Sequence, residues 1–447
     1  MTFPFRTLGQ PAFQDALPPE TDLVVIGAGV IGVCTALYAA RKGLRVTLLE
    51  KGRIAGEQSS RNWGWIRVQG RDPAEIPVAL ESQALWQGLD RETGHKTGLR
   101  TVGISYLART EADMARHADW LALAEPFGVS SRMLDRSETM ALLGNPRAPW
   151  IGALHTPTDM KAEPWVAVPA LAALARDAGV VLREACAVRT LDIAAGRVAG
   201  VVTEAGRIAA PAVVLAGGAW SGLFLRRHGV DIPQLSVRAT AMATGPLPQV
   251  LGSAAADDRL AMRPRDDGGY TLAPAAFAEL FVGPDAIRHA RRYLPLYATG
   301  AFDVHLRRPP PRNYPDAFTT PRRWAADDQS PFERLRILDP SPYGPKRAEL
   351  PRRFAQLYPD LGTVEIRDAW AGMIDVLPDV VPAVSPVDQI PGLTVCTGMC
   401  GHGFGAGPGF GRITTDLVLG NDPGVDLSRF SMRRFFDGSR LRPGPNL

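Results

Sequence analysis

Leu23-Val24-Val25-Ile26-Gly27-Ala28-Gly29-Val30-Ile31-Gly32 sets a short apolar run against a glycine-rich turn, and Glu50 follows eighteen residues later. Leu23 to Ile26 reads as a buried strand. Val33 to Arg41 is rich in Ala and Leu and reads as a helix stopped by Gly43, and Val46 to Leu49 is a second buried strand ending at Glu50. Continuous apolar strands alternating with helix imply a parallel sheet covered on both faces. The glycines fit the G-x-G-x-x-G pattern. Gly27 makes the tight turn, Gly29 lets the backbone approach a pyrophosphate, and Gly32 allows close helix–strand packing, with phosphates at the helix N-terminus. Glu50 is placed to accept hydrogen bonds from ribose hydroxyls, and a carboxylate there disfavours the 2′-phosphate of NADP. A glycine turn used only for packing is the plainer alternative. The strand before it, the helix after it and the acid beyond favour a dinucleotide site, without separating NAD from FAD.

The 447 residues suffice for two domains, each with its own core, and 45% hydrophobic with 21% charged residues is ordinary for a soluble globular chain. A net charge of +4 and a pI near 9.0 raise the question of nucleic acid. Only five of the fifty basic residues are Lys, and the arginines are scattered; the densest pairs, Arg307-Arg308 and Arg322-Arg323, are broken up by Pro and acidic residues. No nucleic-acid partner is expected, because such an electrostatic footprint gathers on one face. Cys34, Cys186, Cys396 and Cys400 form neither a disulfide framework nor a zinc set, so no metal is expected and a reducing compartment is favoured. Met1 to Glu20 carries four prolines and no sustained apolar run, and nothing reaches the length of a transmembrane helix. A cytoplasmic protein is expected, with peripheral membrane attachment still open.

Further along, helices are expected over about 74–91, 111–125 and 164–178, and strands over 99–107, 180–182, 198–203 and 212–216. From about 235 to 300 the pattern turns to short strands and turns. Residues 308–346, rich in Pro and charge, read as a long excursion or lid. The last hundred residues return to apolar strands and glycine turns before a helix near 408–419.

Three further segments carry a resemblance. They are Gly56-Glu57-Gln58-Ser59-Ser60-Arg61-Asn62-Trp63-Gly64-Trp65, then Val213-Val214-Leu215-Ala216-Gly217-Gly218-Ala219-Trp220-Ser221, and the stretch from Gly392 through Gly398-Met399-Cys400-Gly401-His402-Gly403-Phe404 to Gly409. Together with Trp370-Ala371-Gly372, and with Pro378 and Pro382 flanking Asp379, they resemble the D-amino acid oxidase, glycine oxidase and sarcosine oxidase superfamily of FAD-dependent oxidoreductases. The match covers most of the chain outside 235–365. It implies an α/β fold with a Rossmann-like FAD-binding domain from 1–95, 153–234 and 367–447, and a mostly antiparallel α+β substrate domain from 96–152 and 235–366. On that likeness FAD contacts are expected from Gly27, Gly29, Gly32, Glu50, Lys51, Ser59, Ser60, Val188, Gly217, Trp220, Gly401, Gly403 and Phe404. The third segment also makes sense physically. A glycine-dense loop before a helix aims amides and a helix dipole at the ring end where charge grows on reduction. Two departures stand out. No Cys occurs in Ala371-Gly372-Met373-Ile374, where sarcosine oxidase relatives attach the flavin, so non-covalent FAD is expected. No Lys occurs in Glu279-Leu280-Phe281-Val282, which puts O2 as acceptor in doubt.

The implied activity is oxidation of an amino acid or secondary amine, by deamination or N-dealkylation through an imine. An opine or 2-hydroxy-acid dehydrogenase, a flavin-binding subunit that needs a partner, and an NAD-linked dehydrogenase are the rivals. Amino-acid substrates need a cation for their carboxylate. Arg67 is the first candidate, followed by Arg61, Arg238 and Arg263. Trp63 and Trp65 either wall an apolar or cation-binding pocket or pack their loop. His402 acts through its backbone, as a catalytic imidazole, or as a packed side chain. Tyr270 is a candidate hydrogen-bond partner for substrate, and Asp159 to Pro164 reads as a structural lead into a helix.

Overall fold

A computed structural model describes residues 11–300, 303–307 and 309–444. The readings made for Met1 to Gln10 and for Arg308 lie outside the described residues. The strand, turn and helix expected at the start are β1 (Leu23–Ile26), α1 (Val30–Arg41) and β2 (Val46–Leu49). Leu23, Val24 and Val25 are fully buried, as a strand covered on both faces must be. With β3 (Val181–Arg183), β4 (Ala212–Leu215), β5 (Ala383–Pro386) and β6 (Leu393–Thr397) they form a sheet in the order β5-β6-β4-β1-β2-β3. All its pairings are parallel except β5 with β6. α1, α2 (Glu75–Glu92), α3 (Pro164–Asp177) and α4 (Gly403–Leu419) pack around it.

α4 begins at Gly403, earlier than its Ala- and Thr-containing part suggests. Its glycines are poor helix formers, and tertiary packing overrides that weakness. A Cβ on Gly407 would stand 2.6 Å from a Val30 methyl, and one on Gly411 would stand 2.6 Å from Cys34 Cβ. Only a helix without side chains on that face lies this close to α1. Pro408 sits in the second turn of the same helix.

The second sheet is larger and mostly antiparallel. Leu235–Thr244 is its spine, paired along its length with Ile366–Val376 and flanked by Phe277–Phe281 and Tyr270–Ala273. The sheet continues through Ala261–Pro264 and Ala254–Ala256 to Ile104–Ala108, Gly152–Thr156 and Arg132–Asp135. Gly152–Thr156 and Ile366–Val376 carry it past the expected domain borders near 152 and 366. The single strand expected at 99–107 is two, Arg100–Thr101 and Ile104–Ala108, parted at Gly103 with φ 69°. The Pro-rich stretch from 309 to 343 joins no sheet and holds one helical turn, Pro331–Arg334. No described helix is long and apolar enough to cross a membrane.

Candidate active site between the two sheets

A cavity of about 1780 Å³ opens over the carboxyl ends of β1, β2 and β4 and reaches the second sheet at Ala239, Ala241 and Ala256. That is the face where open α/β sheets hold their ligands. Gly27 turns there with φ 98°, and a side chain on it would strike the Ala216 carbonyl at 2.5 Å. Gly29 lines the cavity and has Ser59 Oγ against it; that oxygen accepts from Val30 N at 2.9 Å. The first turn of α1 carries no acidic residue, which leaves its positive end to an anion. Gly32 lies off the cavity; its Cβ would sit 1.8 Å from Gly27 O, so it serves the packing of helix on strand. Glu50 accepts from Ala28 N at 2.9 Å and Gly52 N at 2.7 Å, and burial pushes its pKa up. Its carboxylate lines the cavity, where ribose hydroxyls are the fitting donors.

Val188, Gly217 and Trp220 line the same end. Lys51 does too, but its amine is held by Glu57 at 2.7 Å and by the carbonyls of Leu335 and Arg336. Ser60 lies off the cavity, buried, with its hydroxyl on Glu57 O. At the far end come Gly401, His402, Gly403 and Phe404, with Gly401 at φ 85°. The first turn of α4 carries no acidic residue, so that helix end also faces the cavity positive. An acid for ribose, a glycine turn on one helix and a second helix end beyond suit an extended dinucleotide carrying a ring system. Gln58 and the buried Asp375, which accepts from Gly398 N at 2.7 Å, also line this wall. Gln58 lies in a segment that carries the resemblance, whereas nothing in its local sequence marks Asp375.

Another side of the cavity is built on the segment after Trp65. Trp63 and Trp65 meet edge to face at 5.2 Å, and Trp65 meets Tyr106 the same way at 6.1 Å. Both tryptophans line the cavity, so they wall it and pack the loop together. The Arg67 guanidinium lies 5.2 Å from the centre of the Tyr106 ring and donates to Gln69 O. Arg71 stands beside it, 2% exposed, its Nε donating to Arg67 O at 3.4 Å. Its Nη1 is buried without a hydrogen-bond partner, and burial with the neighbouring Arg67 charge lowers its pKa to about 9. Among the described residues no carboxylate lies within ion-pairing distance of Arg67 or Arg71. Asp159, fully buried, accepts from Val68 N at 2.9 Å and Gln83 Nε2 at 2.8 Å. Burial raises its pKa to about 7, against the lowering pull of those bonds and of Arg67 and Arg71.

His402 holds Glu75 through Nδ1 at 3.0 Å. Burial and the Arg71 charge bring its pKa down to about 4, so its imidazole is neutral at pH 7. Tyr270 stands apart from the site. It is 1% exposed, packed 4.9 Å from Phe354, and its hydroxyl accepts from Val250 N and donates to Pro248 O. Its strand turns it into the core behind the sheet, so the turn beside it leads nowhere near substrate. The other arginine candidates are occupied. Arg61 holds Asp339 at 2.6 Å and Ala371 O, Arg238 holds Glu279 at 2.7 Å, and Arg263 holds both Glu163 oxygens at 2.9 Å. Arg71 and Tyr106 carry no mark in the sequence: one is an Arg among many, and the other comes from a separate strand. Phe277–Phe281 bears no Lys; the Lys lining that side is Lys346, paired with Glu349 at 2.9 Å. No group of three or more metal-ligating side chains occurs among the described residues.

Comparison with known proteins agrees with this geometry. The chain is 26% identical to glycine oxidase from Pseudomonas aeruginosa over 421 residues, covering 92% of this chain and 98% of that one. It is 24% identical to D-amino acid dehydrogenase from Methylobacterium sp., covering 92% and 99%. The structure of L-amino acid deaminase from Proteus myxofaciens in complex with anthranilate superposes with a TM-score of 0.89 at 30% identity, covering 96% of this chain and 97% of that one. The model of the DAO family of FAD-dependent oxidoreductases matches residues 22–417. The chain is therefore a member of the DAO family of FAD-dependent oxidoreductases, an enzyme whose relatives oxidise amino acids.

Proposed function

We propose that this enzyme oxidises the Cα–N bond of a free amino acid whose carboxylate is held by Arg67 and Arg71. The observation that carries the reading is that neither guanidinium has a carboxylate partner among the described residues, while Arg71 Nη1 is buried and unbonded. A buried cation without a partner is costly, and it persists where a ligand anion completes it. Two adjacent guanidiniums match a carboxylate by paired, charge-assisted hydrogen bonds. Bound FAD would supply the hydride acceptor, and Gly27, Gly29, Glu50, Gly217 and the turn Gly401–Phe404 would hold it.

The chain's own residues then position and desolvate. Trp63, Trp65 and Tyr106 wall the cavity against water, and the two guanidiniums would hold the carboxylate and so fix the position of Cα. Loss of the Cα hydride to that acceptor and of an N–H proton would turn the substrate amine into an imine, which water hydrolyses to the oxo acid and ammonia. A substrate that reacts as the neutral amine needs no strong protein base, which accords with an imidazole already tied to Glu75. Non-covalent attachment is supported by the stretch Ala371-Gly372-Met373-Ile374, which offers no thiol; the thiols that line the cavity are Cys396 and Cys400, on the segment from Leu393 to Phe404. The relatives include enzymes named for D- and for L-amino acids, so the chirality of the substrate is for experiment. The unpaired cysteines of the described residues favour a reducing compartment, as a cytoplasmic enzyme has.

The test is an anaerobic visible spectrum of the purified protein, taken with D- and L-amino acids, N-methyl amino acids, simple amines and opines. Bleaching by a carboxylate-bearing class, and by none of the amines lacking a carboxylate, supports the reading. Bleaching by simple amines equally well would remove the carboxylate anchor. Admitting air afterwards identifies or eliminates O2 as the acceptor, and acid precipitation that frees the flavin would confirm non-covalent attachment.

A further inference from the structure

We propose that Pro331–Asp339, within the Pro-rich excursion, is a belt that closes the adenosine end of the FAD site and retains the cofactor. The inference rests on FAD occupying the cavity, and is independent of the substrate assigned above. Phe332 and Ile337 of this segment share the cavity wall with Glu50, Lys51, Val188 and Trp220, the end where the ribose acid sits.

The belt comes unusually close to the loop after β2. A Cβ on Gly52 would lie 2.4 Å from Arg336 O and 2.8 Å from Ile337 Cγ1. Arg61 holds the belt's last residue, Asp339, at 2.6 Å, and four further sets of bonds hold the rest. Lys51 donates to the carbonyls of Leu335 and Arg336 at 3.2 and 2.7 Å. Glu57 gathers Lys51, Trp220 Nε1 and Leu338 N on one carboxylate, at 2.7, 3.0 and 3.0 Å. Arg336 grips both Glu204 oxygens at 2.8 and 2.7 Å and also reaches Lys51 O at 2.8 Å. Arg189 grips both Glu333 oxygens at 2.9 Å, and with Ser330 it holds the Glu333 carboxyl down at about 2 against the cost of burial. Phe332, 4% exposed, plugs the gap among Trp220, Phe224 and Trp324. Apart from the Arg61–Asp339 bond, these anchors tie the excursion to the segments around Glu50, Val188 and Trp220, and none reaches Arg67 or Arg71.

The experiment measures flavin release from the holoenzyme after dilution, by the rise in free-flavin fluorescence, for wild type, Arg336→Ala and Glu333→Gln. Loss of a bidentate, charge-assisted pair on the belt is expected to speed FAD release about tenfold. FMN, which lacks the adenosine half, is exchanged into the same proteins as a second probe and is expected to leave wild type and variants at equal rates. Arg433→Ala removes a similar exposed pair, with Asp388, away from the belt, and controls for general loosening. Unchanged FAD release in both belt variants overturns the proposal. So does FMN release raised as much as FAD release, or an equal rise in Arg433→Ala. Should Arg336→Ala fail to fold, the rates of Glu333→Gln alone support or overturn the proposal in the same way.

Discussion

Arg71 is buried beside a second guanidinium with an unbonded Nη1, and the two nearest carboxyls are already engaged: Glu75 with His402, and Asp159 with Val68 N and Gln83. If the pair anchors a carboxylate, Arg71→Leu should raise KM for the amino acid by roughly 10- to 100-fold, the worth of a charge-assisted hydrogen bond, with kcat little changed. Steady-state kinetics checks this, and an unchanged KM would remove Arg71 from the site. The pH dependence follows from the same neighbours. Below pH 7 Asp159 is mostly neutral and leaves both guanidiniums to the substrate; above it the carboxylate ionises and competes. KM should therefore rise through pH 7. Asp159→Asn should abolish that rise.

At the scale of elements, α1 and α4 are joined by the absence of side chains. Gly411→Ala puts a Cβ 2.6 Å from Cys34 Cβ and 2.9 Å from Thr35 N, with backbone that cannot yield. Overpacking of this kind costs about 1–3 kcal/mol, to be read in urea unfolding of the holoenzyme. Gly32→Ala is more severe, because the obstacle is the Gly27 carbonyl itself at 1.8 Å. That variant should lose flavin as well as stability, since moving Gly27 moves the turn that would meet the pyrophosphate. Absorbance per protein at the flavin band separates the two effects. A Gly32→Ala protein that kept full flavin would show that the turn tolerates displacement.

Across the whole molecule, the cofactor would sit between the two sheets and contact β1, β2, β4 and the turn before α4 at once. A ligand that binds only the folded state stabilises it by mass action, about 2.7 kcal/mol at a hundred times Kd. The thermal midpoint should fall when flavin is stripped and recover with added FAD, while NAD leaves it unmoved. A midpoint indifferent to FAD would mean that the cavity does not couple the two halves.

Local patterning alone determined the first half of the cofactor site. A glycine turn and an acid at a set distance along one βαβ unit bring Gly27, Gly29 and Glu50 together through short-range geometry, and β1, α1 and β2 fall where the apolar runs put them. The glycine-rich segment before α4 was expected near a flavin from the family resemblance, and the fold brings it to the cavity, although its helix starts earlier because packing against α1 outweighs the poor helix propensity of glycine. The substrate side was decided by tertiary structure. Arg67, Tyr106, Asp159 and His402 lie on separate segments, and only the folded chain shows which arginines find carboxylates and which do not. Arg61, Arg238 and Arg263 lose their candidacy to Asp339, Glu279 and Glu163, partners between about forty and nearly three hundred residues away. Tyr270 fails for the same physical reason: its strand turns the ring toward Phe354, and pairing register rather than composition sets which face a side chain takes.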